Sequence, residues 1–237
     1  MSISQLTETP WFCVLITFLI WLCAIKIYKW KTFPLTNPVF LSVSSIILSL
    51  MISDVEYEKY NVRGKYISFL LGPSVVALAI PFYKQIRKIR ETIISIGISA
   101  LAGSVTGIIS AMVFVYLLGG DRLLAFTMAP KSATTTNANE ISGRIGGIPP
   151  ITVGILILTG ILGGMMGPEL LRLIGVKSRF AMGLAVGLAS HGIGTARVLE
   201  NDHSFKDKNG GAMSGIGMTL NGILTSFFIP FLMRLFP

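Results

Sequence analysis

The sequence predicts an all-α, polytopic helical membrane protein of about seven spans with one re-entrant or broken helix. Three observations carry that expectation. Across 237 residues 52% are hydrophobic and only 13% charged, with a mean hydropathy of +0.71, far more apolar than a soluble domain. Residues 92–118 run without a charge, whereas a β-barrel strand would alternate apolar and polar residues over about 10 positions. The net charge of +9 comes from Lys and Arg gathered in the short connections between apolar runs, as the positive-inside rule describes. No nucleic-acid partner is expected.

The first apolar run, 11–28, has no basic residue before it and no small-residue cleavage site after it, and Lys26, Lys29 and Lys31 stand at its end. It reads as a retained first span with its N-terminus outside. Cys13 and Cys23 fall about three turns apart in that helix and cannot bond to each other. The second run, 39–52, is short for a span at about 1.5 Å per residue and has to borrow flanking residues. Polar residues 54–65 read as a loop. In the third run, 66–83, Gly72, Pro73 and Pro81 make a discontinuous helix with Ser74 beside the break. Four further runs are 92–118, 148–166, 180–199 and 212–233.

Residues 126–147 are too polar for a lipid-facing span and too weakly charged for an ordinary loop. If they enter and return to one face, the inside connections hold only Glu91 and Glu169 as acids, and the basic trio Arg172, Lys177 and Arg179 stays inside. The re-entrant reading is favoured on that ground over a crossing. The chain therefore divides into a first helix (1–35), a first membrane repeat (36–122), a re-entrant polar segment (123–147) and a second membrane repeat (148–237). Two offsets suggest the repeats. At 60 residues, 101–107 (LAGSVTG) matches 161–167 (ILGGMMG), and a polar stretch follows each; at about 115 residues, 107–118 resembles 222–233. Three spans per unit would invert the second copy around a midplane site. Chance similarity between apolar sequences is the alternative.

The two polar stretches, 129–140 (APKSATTTNANE) and 189–200 (ASHGIGTARVLE), carry the chemistry, because unpaired polar groups in a bilayer are costly and mark binding sites or water-filled paths. Pro130 suits the first turn of a short helix. Lys131, Ser132, Thr134, Thr135, Thr136 and Asn137 would then surround its start, where free N–H groups and the dipole favour an anion. A hydrophilic loop with ordinary caps is the plain alternative. In the second stretch Gly183, Gly187 and His191 follow i, i+4, i+8, a face for close helix packing. Gly192 and Gly194 weaken the helix there and expose backbone near Thr195 and Arg197. His191 is a candidate for proton coupling, or else a structural histidine on a backbone carbonyl. Glu140 and Glu200, which close the two stretches, are the other coupling candidates, and read more readily as interfacial charges. No catalytic, metal or cofactor motif is present: no phosphate loop, no HExxH or CxxC spacing, no serine elbow.

At these residues the chain resembles a known family. The strings PKSATT, IGGIPPIT, GILGGMMGPELLR, SHGIGTARVLE and MTLNGILTSFFIP look like the LrgB/CidB family of bacterial membrane proteins, from Gly72 to the C-terminus. Family members place a proline and then an aliphatic residue after PKS-x-TT, where this chain has Thr136 and Asn137. The resemblance implies two functions. One is an antiholin-like regulator of murein hydrolases and cell lysis that acts by oligomerising in the bacterial cytoplasmic (inner) membrane, beside a small LrgA/CidA-type partner. The other is transport of a small monocarboxylate such as glycolate, glycerate or pyruvate, by analogy with plastid and bacterial relatives. The convergent polar residues favour the carrier, and an enzyme is not expected.

Overall fold

The computed structural model describes residues 10–30, 36–70, 73, 76–77, 80, 83, 86–202 and 209–235. Among the described residues every regular element is helical. They are α1 (Pro10–Trp30), α2 (Pro38–Ile52), α3 (Tyr57–Phe69), α4 (Ile86–Glu91), α5 (Ile93–Leu117), α6 (Arg122–Met128), α7 (Thr135–Arg144), α8 (Pro149–Leu173), α9 (Arg179–Asp202) and α10 (Gly210–Leu232), with a 3₁₀ turn at Met233–Leu235. Two compact units result, Met1–Ala79 and Ile80–Pro237.

In the first unit, Pro38 occupies the first turn of α2 and the Asn37 side chain accepts from Val39 N at 2.9 Å, which sets the start of that helix. The expected loop at 54–65 is a helix from Tyr57 onward. The Tyr60 hydroxyl lies 2.6 Å from Thr17 Oγ1 on α1, so tertiary docking overrides a weak local preference. Cys13 and Cys23 are both free thiols.

The second unit is organised by where polar and small residues let helices touch. Ile96 and Ala100 of α5 pack with Met213 of α10, Ser104 bonds Asn221, and Ile108 and Met112 pack with Ile229. α5 and α10 therefore run parallel. On α9, a methyl placed on Gly183 would strike Gly210 O and one on Gly187 would strike Ser214 O, so residues 179–190 also run parallel to α10. Against α8 the order is reversed: Gly167 faces Val186, and Gly163 faces Ser190.

Four described helices are long and apolar enough to cross a bilayer: α1, α5, α8 and α10. Seven spans were expected. α2 has 15 residues and stays short, and the run 66–83 is described only in part, with Gly72, Ser74 and Pro81 outside the described residues. The run 180–199 is not one continuous span, because α9 breaks at His191, whose φ of 42° and ψ of −139° are non-helical. After the break the chain turns back. Gly194 packs on Ser190 and Val186, Gly192 lies near Met218, and Thr195 returns to Ser214, the level already reached by Gly187. Gly194 permits the reversal, since a Cβ there would lie 2.5 Å from Ser190 Cβ and 3.3 Å from Val186 O.

Residues 122–144 form a comparable hairpin. Ser142 of α7 bonds Thr152 of α8, Ala138 and Ala133 pack against Leu156, and Thr127 meets Ile148 and Thr152. The chain thus descends along α8 to the turn at 129–134 and comes back.

Candidate functional site

The tips of the two hairpins meet α8 at Leu156, having come from opposite ends of it. Leu156 packs its side chain on Ala133 and Ala138 from the first hairpin, and its carbonyl oxygen lies 2.9 Å from His191 Nε2 at the tip of the second. His191 is 4% exposed, held over Gly160, where any Cβ would come within 2.6 Å of the ring. It does not continue the Gly183–Gly187 face toward α10, as the i, i+4, i+8 spacing suggested. The break in α9 swings it onto α8 instead.

The first tip is fixed by a knot of polar side chains. Asn221 Nδ2 donates to Ser132 O at 2.6 Å, while its Oδ1 accepts from Ser104 Oγ at 2.7 Å and from Thr225 Oγ1 at 3.3 Å. Its three hydrogen-bonding partners come from three separate elements, so one side chain ties α5, α10 and the hairpin. A second knot closes the hairpin base. Thr127 Oγ1 accepts from Ile148 N at 3.0 Å, and Thr152 Oγ1 donates to Thr127 O at 2.8 Å. With the Thr152 proton used there, Ser142 Oγ, at 2.7 Å, is the donor to Thr152.

Lys131 and Ser132 line a cavity of about 430 Å³. Its other walls are Ser99, Gly103 and Gly107 of α5 and Ala185 and Ala189 of α9. Lys131 Nζ is half-buried and lies 3.2 Å from Ser132 Oγ. The expected helix start falls elsewhere than at Pro130: α7 begins after Thr134, and residues 130–133 form the preceding turn, with Ala133 N donating to Pro130 O. Thr135 and Thr136 are exposed on α7, and Asn137 is half-buried against Gly222.

In the second stretch Thr195 is buried and donates to His191 O at 2.8 Å, with Ser214 Oγ 3.0 Å away. Gly194 is buried, Gly192 is exposed, and Arg197 is half-buried and engaged. Glu140 is exposed and ion-paired with Arg144. Glu200 lies in the last turn of α9, with its side chain outside the described set. Among the described residues no group of three His, Cys, Asp or Glu converges as a metal site requires.

The structure therefore unites Lys131 and Ser132 with Ala189 around one cavity, and sets His191 and Thr195 behind it as fastenings. Sequence reasoning missed Asn221, Ser104, Thr225, Thr127, Ser142 and Thr152. The available signal was a lone polar residue in an apolar run, since each must find a partner inside a bilayer.

Long apolar helices around two broken hairpins define an integral, polytopic, all-α membrane protein in contact with the lipid bilayer. The chain belongs to the LrgB-like family, whose model matches residues 17–235. It is 37% identical to the uncharacterized protein YxaC of Bacillus subtilis over 94% of this chain and 95% of that one. It is 35% identical to the holin-like protein CidB of Staphylococcus epidermidis over the same shares. With the antiholin-like protein LrgB of Bacillus cereus it shares 33% identity over 96% and 97%. No solved structure matches the chain.

Proposed function

We propose that the chain is a holin-like or antiholin-like protein of the bacterial cytoplasmic membrane. It would regulate murein hydrolase activity and cell lysis by assembling with its own copies and with a small LrgA/CidA-type partner. The carrying observation is the names of relatives that match nearly end to end. They back this reading better than the carrier expected from the sequence. Apolar faces are available for assembly or lipid, with Leu15, Phe18 and Leu19 of α1 each more than half exposed. No catalytic chemistry is part of the proposal. Expressing the chain with and without an LrgA/CidA-type protein, and measuring murein hydrolase activity and lysis, tests it; unchanged lysis in both cases rejects it.

A second reading, a carrier of small monocarboxylates, rests on the hairpins. α5 with hairpin 122–144, and α8 with hairpin 179–202, run in opposite directions and bring their tips to one level. This arrangement supports an inverted repeat of one span plus one hairpin, around a central site. Uptake of labelled pyruvate, glycolate and glycerate into liposomes, beside a dye-leak assay, separates the readings. Saturable uptake without leak is the carrier's outcome, and leak without saturable uptake is the lysis protein's.

A further inference from the structure

The cavity at Lys131 has a direction. Its lining begins at Val176 and Ala181, where α8 ends and α9 starts, and at Ser99 in the first third of α5, and it finishes at Lys131 and Ser132 on the hairpin tip. That mouth is flanked in sequence by Arg172, Lys177 and Arg179. Ser99, Gly103 and Gly107 recur at i, i+4, i+8 on α5, so that wall carries no bulk, and a volume of about 430 Å³ accommodates a small solute and several waters at ~30 Å³ each.

Behind the tip the molecule is closed. Thr127, Ser142, Thr152, Leu156 and Ala138 are all 0% exposed, and Asn221 is 2% exposed. A separate cavity of about 290 Å³, lined by Asn137, Glu140, Arg144 and Ser226, approaches the same tip from the opposite end, where α7 ends. Ser132 is the deep end of one cavity and Asn137 faces the other. Asn221, bonded to Ser132 O, and Gly222, packed on Asn137, stand between them.

We infer that Lys131 and Ser132 form the floor of a one-sided vestibule for small monoanions, entered from the end that carries Arg172, Lys177 and Arg179, and that Asn221 is the barrier closing it toward the other end. The choice of ligand rests on the carrier reading; the one-sidedness does not. Lys131 supplies the single positive charge at the floor, and the basic residues at the mouth raise the local anion concentration. By the positive-inside rule that mouth is cytoplasmic.

The test uses a cysteine-free full-length chain (Cys13→Ser, Cys23→Ser) in sealed vesicles of each orientation. Ser132→Cys and Ser99→Cys are treated with a membrane-impermeant thiol reagent, with Lys177→Cys and Leu118→Cys marking the two faces. Both vestibule cysteines should react at least about tenfold faster from the Lys177 face, as expected when the opposite-facing state is a minor one. Adding Asn221→Ala should abolish that preference; if this variant is poorly produced, Ser104→Ala with Thr225→Val removes two of the three bonds instead. Equal rates from both faces in the parent, or faster reaction from the Leu118 face, overturn the vestibule. A preference that survives in a folded Asn221→Ala protein overturns the barrier. Acetate should slow labelling of Ser132→Cys several-fold, and no protection overturns the anion site. One-sided labelling without acetate uptake removes the carrier and keeps the vestibule, whereas uptake with two-sided labelling does the reverse.

Discussion

His191 Nε2 lies 2.9 Å from the carbonyl oxygen of Leu156, and this bond fastens a strained hairpin tip to α8. At φ 42° and ψ −139° the His191 backbone sits where non-glycine residues are rare, at a cost of about 1–3 kcal/mol. Such a conformation persists only when its surroundings over-determine it. Here they are the ring's bond to α8, its packing over Gly160, and Thr195 Oγ1 on the His191 carbonyl.

His191→Ala should therefore destabilise the protein, and His191→Gly should do so less, by about 0.5–1 kcal/mol, because glycine accepts the positive φ. Thermal unfolding in detergent measures both. Gly160→Ala should cost about 1–3 kcal/mol through overpacking against the ring, and much less in a His191→Ala background, since the two sites are in contact.

The Leu156 bond also bears on coupling. If the carrier reading holds, His191→Gln keeps a donor for the carbonyl, so the fold should persist. The expected outcome is uptake with its pH dependence retained, as a fastening residue requires. Loss of proton-gradient dependence with normal protein amounts would make His191 the coupling group. Glu140→Gln should change stability by no more than about 0.5 kcal/mol, because its pair with Arg144 is exposed.

Gly187→Ala should separate α9 from α10, since the added methyl would collide with Ser214 O. Gly154→Ala, with open space around it, should be neutral or slightly stabilising. Comparing the two melting temperatures separates the packing contact from helix propensity.

Thr152→Val should loosen the base of the first hairpin. The hydroxyl serves Thr127 O and Ser142 Oγ in a fully buried place, and its loss should cost about 1–3 kcal/mol by leaving those groups unsatisfied. Faster hydrogen exchange at residues 135–145 would report the change locally.

If the carrier reading holds, Lys131→Gln, which removes the charge from the vestibule floor and keeps a hydrogen-bonding group, should strongly reduce monocarboxylate uptake while the protein still folds. Unchanged uptake with normal membrane expression would remove Lys131 from any anion site.

The membrane class, the apolar helices near 11–28, 92–118, 148–166 and 212–233, and the two polar stretches were all legible in the sequence. Composition and run length report directly on what a bilayer tolerates. The direction of the chain was not. Residues 180–199 have the length of a span though not the hydropathy of the four long apolar helices, and nothing local distinguishes a weak helix from one that reverses. The reversal at His191 depends on Gly160 and Leu156, about 30 residues away, leaving room for the ring and offering it a carbonyl. Asn221 shows the same limit. A lone asparagine in an apolar run announces that it has a partner, but only the packing of α5, α10 and the first hairpin decides that the partners are Ser104, Thr225 and Ser132. Solvation is a property of each residue and can be read along the chain, whereas hydrogen-bond partners are set by which helices are brought together.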